Sequence, residues 1–189
     1  MTRALRPTLV IVALVATSAC AKPWNTANTA LEATAQAVVA TDEMVAENMT
    51  EDHEAARARV VEAARAALAE WEACEADESR DDCGDRPTVA QFMEQYDEDE
   101  RVQTWGTVTL ALEELREALI VAQAAVGVWR DTQEQPGNWS VICEGLDTTR
   151  GAVIRAIEAA GVEVPDQYER MSEYLLPVCN LIVNVTAGD

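Results

Sequence analysis

Cysteines, a single histidine and a surplus of carboxylates are the residues of this sequence that first invite covalent, metal or acid–base chemistry. Set Cys20 apart and four cysteines remain: Cys74, Cys83, Cys143 and Cys179. Their spacings match no zinc site and none forms a CxxC pair, which points away from thiol-redox chemistry. An even set in an exported chain reads as two disulfides, and four cysteines allow three pairings. His53 stands among Glu51, Asp52 and Glu54, and a metal site would need ligands one helical turn away. Those positions hold Met49 and Arg57, so His53 is expected on solvated helix surface.

No other histidine exists to build a Ser-His-Asp or Cys-His centre. The Glu-x-x-His pairs of di-iron bundles, the CxxCH of attached haem and the glycine loops that cradle phosphates are all missing. The sequence therefore points away from an enzyme and calls for no cofactor. One stretch approaches a calcium loop: from Asp77, the oxygen-bearing Ser79, Asp81 and Asp85 fall at the right spacing. Asp82 occupies the glycine position and Thr88 replaces the bidentate glutamate, so the match is partial and no metal site is assigned.

The formal charge of the 189-residue chain is -20, with 34 acidic residues against 14 lysines and arginines. Such a field repels nucleic acid and favours basic partners or cations. Hydrophobic residues make up 49% of the chain, enough for one globular domain, but aromatics only 5%. Alanine supplies much of the rest, and an all-α fold follows as the expectation.

The N-terminus carries Arg3 and Arg6, then the apolar run Thr8–Ala16, then small residues Thr17, Ser18 and Ala19 directly before Cys20. The run is too short for an ordinary membrane-spanning helix. The segment resembles the bacterial lipoprotein signal peptide, with Thr17 where leucine is usual. That resemblance covers only the export segment. It implies cleavage before Cys20, a diacylglyceryl group on Cys20, and membrane attachment through its acyl chains. Ala21, in the position where aspartate retains such proteins at the inner membrane, implies the outer membrane of a Gram-negative cell. The alternatives are an ordinary secretory signal, cut after Ala19 or Ala21 to leave a secreted or periplasmic protein, and a retained membrane anchor.

The elements that must position these residues read as follows. Residues 1–19 form the signal peptide, 20–30 a polar lipidated tether and 31–187 one helical domain. A long hairpin, 31–131, pairs two helical patterns around a charged loop at 75–87. The first carries Leu31, Ala35, Val38, Val45, Met49, Ala56, Val60, Ala63, Ala67, Trp71 and Cys74 at spacings of about three and four residues. Asp42 and Asp52 fall on the same seam, so either the face is interrupted or the helix breaks near 48–50. The second starts at Thr88, an N-cap, and its seam runs Val102, Trp105, Val108, Leu112, Leu115, Leu119, Ala122, Val126, Trp129. Asp97–Glu100 marks a possible restart.

A short hairpin, 140–187, turns at Gly161 and Pro165, with Pro177 placed to kink or split its second helix. Cys74 and Cys83 bracket the charged loop and are expected to pair. Cys143 and Cys179 lie about 27 and about 21 Å from the second turn at 1.5 Å per residue, close enough in register to pair. The predicted architecture is a pair of antiparallel hairpins forming a four-helix, bundle-like domain with two disulfides.

Function is then expected from shape and address: a non-enzymatic envelope lipoprotein whose acidic domain binds or scaffolds a partner. Its contacts would be the membrane through the lipid anchor, a protein partner or a second copy of the chain, and not nucleic acid. The alternative is a small-molecule or divalent-cation binder with a pocket lined from Trp105, Trp129, Trp139, Tyr168 and Tyr174, although buried aromatics are more often core.

Overall fold

The computed structural model describes residues 22–80 and 82–185, with side chains described to Cys179. The signal segment, Cys20, Ala21, Asp81 and residues 186–187 lie outside the described residues. The chain is all-helical, with α1 Pro23–Glu75, α2 Val89–Asp97, α3 Glu100–Thr132, α4 Trp139–Ala159, α5 Asp166–Glu169 and α6 Met171–Val185.

The first helix differs from expectation at both places where polar residues interrupt its pattern. Residues 23–30 are not a tether: α1 begins at Pro23, whose missing N–H costs nothing in a first turn. Ala27, Ala30 and Leu31 recur at helical spacing and are buried, which gives this Asn- and Thr-rich segment an apolar face. Nor does α1 break near 48–50. It runs unbroken for 53 residues, about 80 Å. Asp42 stays on the seam because Arg116 of α3 pairs with it, and Asp52 because Trp105 donates to it. Thr34 and Thr41 are fully buried, and their hydroxyls donate back to the carbonyls of Ala30 and Ala37 at 2.8 and 2.9 Å.

The second pattern does divide. The backbone N–H of Thr88 donates to Gln91 Oε1 at 2.9 Å to open α2. Asp99 accepts the Arg101 N–H at 3.1 Å to open α3, so the acidic run marks a fresh start. Gly161 takes a left-handed conformation (φ 74°) after α4, where a side chain would be strained. The fourth pattern splits at Arg170 and not at Pro177. The one-residue gap separates α5 from α6, and α6 continues through the proline.

α1 packs against α2, α3, α5 and α6, α3 also packs against α4, and α4 against α6. The pairs Asp42–Arg116, Asp52–Arg101 and Arg59–Asp99 set α1 and α3 antiparallel, since their numbers rise on one helix as they fall on the other. The core lies between these helices. Trp105, Val108, Leu112, Leu115, Leu119, Ala122, Val126 and Trp129 of α3 are buried against Leu31, Val38 and Val45 of α1, Leu146, Val153 and Ile157 of α4, and Tyr168, Met171 and Leu175 beyond. Past Ala56, α1 buries only Cys74, and Ala63, expected on the seam, is exposed. The far part of α1 is therefore a thin extension covered only by the returning loop and α2.

Candidate functional site

Three places gather the chemistry-bearing side chains: the stapled tip, the junction of α1 with α2 and α3, and the end where α1 begins. At the tip, Cys74 and Cys83 are bonded with Cα atoms 5.7 Å apart. Cys143 and Cys179 are bonded likewise, at 5.9 Å, tying α4 to α6. Trp71 Nε1 donates to the Gly84 carbonyl at 3.3 Å, and the Arg86 guanidinium lies 5.6 Å from the Trp71 ring.

The carboxylates expected to approach a calcium loop point inward to the loop itself. Asp77 Oδ1 accepts from the Ser79 N–H at 3.0 Å and from its hydroxyl at 2.6 Å. These bonds hold the Asp77 carboxyl below the usual carboxylate range. Asp82 Oδ1 accepts the Gly84 N–H at 2.9 Å. Asp85 is exposed, and Asp81 lies outside the described residues. Among the described residues, no three His, Cys, Asp or Glu side chains converge as metal ligands would.

At the junction, His53 is half-buried and not solvated helix surface as expected. α2 folds back over it, and the Tyr96 hydroxyl lies 3.0 Å from its Nδ1, with the rings edge to face at 6.0 Å. A shallow cleft of about 220 Å³ opens here between Met49, Thr50, His53, Glu54, Arg57 and Tyr96. Next to it lies a charge network. Trp105 Nε1 donates to Asp52 Oδ2 at 2.8 Å, and Arg101 pairs with the other oxygen. The Trp105 bond is the main reason the Asp52 carboxyl sits below its ordinary range. Arg59 pairs with Asp99 at 2.7 Å and lowers that carboxyl in the same way. The seam placement of Asp52 was the sequence signal for this network.

At the end where α1 begins, three tryptophans meet. The Trp129 ring is 6.3 Å from Trp24 and 5.8 Å from Trp139, and Lys22 Nζ lies 5.0 Å over the Trp24 ring. Trp129 and Trp139 are buried, and Trp139 Nε1 has no hydrogen-bond partner. A cleft of about 330 Å³ lies beside Trp24, between Asn25 and Asn28 of α1 and Gln123, Gly127 and Arg130 of α3.

Of the aromatic residues from which a pocket was expected to be lined, Trp129 and Trp139 come together, but Trp105 does not join them. Trp105 and Trp129 stand 24 residues apart on α3, about 36 Å. Tyr168 is wholly buried, and its hydroxyl has no partner; burial pushes its pKa up. Among the described residues, no helix is long and apolar enough to cross a membrane. No protein-family model matches this chain, and neither does any curated protein or solved structure.

Proposed function

We propose that this chain is a non-enzymatic envelope lipoprotein, anchored through Cys20, whose acidic helical domain binds or scaffolds a partner away from the membrane. The observation that carries the reading is the start of α1 at Pro23, three residues after Cys20. From there α1 carries the stapled tip to about 80 Å from its start. The helices fit two antiparallel hairpins closing into a four-helix, bundle-like body, since α6 packs on both α1 and α4. The hairpin of α1 with α2 extends from that body as an arm. Twenty-three of the 34 acidic residues lie between Asp42 and Glu117, the stretch that contains the arm, and this acidity suits a basic partner.

By the resemblance to the lipoprotein signal, Ala21 implies the outer membrane of a Gram-negative cell as the anchor's address. The test is the mass of the mature N-terminus. A diacylglyceryl-modified Cys20, and release of Cys20→Ala from the membrane fraction, are expected. An unmodified terminus at Cys20 or Lys22 returns the chain to the soluble periplasmic or secreted class.

A second reading, a periplasmic or cell-surface small-molecule binder, has the 330 Å³ cleft beside Trp24 behind it. Native mass spectrometry of protein purified from its host separates the two: a retained ligand supports the second, and a clean apo mass the first.

A further inference from the structure

In the cleft of about 330 Å³ beside Trp24, side chains of two helices surround open space without closing on one another. Gln123, Gly127 and Arg130 follow at intervals of four and three residues, so they share one face of α3. Asn25 and Asn28 meet them from the first two turns of α1, and buried Val126 adds an apolar surface.

Gly127 has no local reason to be glycine. It lies inside α3, where glycine is a poor helix former, and its φ is not left-handed. A Cβ there would meet nothing within 4 Å, so the glycine does not serve a close approach of helices either. What the missing side chain leaves is the cleft.

We infer, resting on the small-molecule reading above, that this cleft binds an uncharged saccharide. Side-chain amides both donate and accept, as sugar hydroxyls do, and Asn25, Asn28 and Gln123 bring three of them. Asn28 Nδ2 donates to Glu32 Oε1 at 2.6 Å, which orients that amide and leaves its carbonyl oxygen as an acceptor. The electron-rich face of an indole suits the weakly positive C–H bonds on one side of a sugar ring. Trp24 is half-buried, with Trp129 at 6.3 Å, and the exposed Lys22 ammonium 5.0 Å over its ring marks a face that opens to solvent. Charge selects the neutral ligand. Lys22 and Arg130 border the cleft, and so do Glu32, bonded to Asn28, and Asp131, bonded to Arg130 at 2.9 Å. Two charges of each sign offset one another, so neither an anion nor a cation is drawn in ahead of a neutral molecule. The volume is at the small end for ligand sites and suits one or two sugar rings.

The full chain is titrated with chitobiose and with maltose while its tryptophan emission is followed. Citrate serves as the anionic probe and spermidine as the cationic one. A saturable change with at least one of the sugars is expected, and none with citrate or spermidine. Gly127→Leu, which fills the cleft, should abolish that change with the helical circular dichroism retained. Gly106→Leu is the control, a second glycine inside α3 with open space around it and no place in the cleft, and should leave binding as it was. Should Gly127→Leu not fold, Gln123→Ala, an exposed change to the better helix former, is expected to weaken binding about fivefold, the worth of one hydrogen bond. Binding that survives Gly127→Leu, an equal loss in Gly106→Leu, or a preference for citrate or spermidine overturns the saccharide site. So does the absence of any response to the two sugars. In that case a retained non-saccharide ligand in native mass spectrometry leaves the small-molecule reading standing, and a clean apo mass removes both.

Discussion

The bond between Trp105 and Asp52 is the strongest single test of how α1 stays continuous through its acidic seam. Trp105 is 1% exposed, and the Asp52 side chain is 16% exposed. Replacing Asp52 by alanine orphans the buried indole N–H, at about 1–3 kcal/mol. It also removes the pairing with Arg101, whose side chain is 65% exposed, so that part is worth only about 0.2–1 kcal/mol. The expected loss is about 2–3 kcal/mol, which for a domain of this size lowers Tm by about 4–12 °C. Asp52→Asn keeps an acceptor for the indole and should lose about half as much. In a double-mutant cycle with Trp105→Phe, the two positions should couple by more than 1 kcal/mol.

The pH dependence has a fixed sign. The folded-state pKa of Asp52 is lowered, so its contribution is complete above the unfolded value of about 3.9 and fades as pH falls through the folded value. Thermal melts with intact disulfides, followed at helical wavelengths across pH, measure both effects. An alanine variant within 0.5 kcal/mol of wild type, or one equal to Asp52→Asn, would refute the reasoning.

In the loop-entropy relation, opening the Cys143–Cys179 bond, which spans 36 residues, should cost about 4 kcal/mol, and opening Cys74–Cys83, which spans nine, about 3 kcal/mol; paired Cys→Ser melts should keep that order. Gly161→Ala meets no atom within 4 Å, so its cost is conformational alone, about 1 kcal/mol, and chemical denaturation should show it without a change in slope. Tyr168→Phe removes a buried hydroxyl that has no partner and is expected to be neutral or to raise stability by up to about 1 kcal/mol. A loss greater than 1 kcal/mol would mean that the hydroxyl is bonded in solution.

Much of the helix inventory is legible in the residues because each signal is local. Thr88, the Asp97–Glu100 run, Gly161 and Pro165 mark boundaries through backbone groups within a few positions of themselves. The α3 seam from Trp105 to Trp129 is apolar at every expected position and buried throughout. The disulfide partners follow from loop closure and from register along two helices joined by a turn. What misled the reading was polarity without a visible partner. Asp42 and Asp52 looked like a break, and His53 looked solvated, because Arg116, Trp105 and Tyr96 lie between 43 and 74 residues away along the chain. The asparagines and threonines after Pro23 looked like a tether because three buried residues, Ala27, Ala30 and Leu31, carry their apolar face.

Composition, helical spacing and cysteine parity by themselves determine an all-helical, doubly stapled, strongly acidic chain, since propensity and periodicity act over one or two turns. Only the tertiary structure decides that α1 is continuous and that the aromatic residues separate into a Trp105 junction and a Trp24–Trp129–Trp139 end. Each of these depends on which distant helix lies alongside. A carboxylate on an apolar seam destabilises a helix in isolation and is tolerated once a neighbouring helix brings an indole or a guanidinium to it.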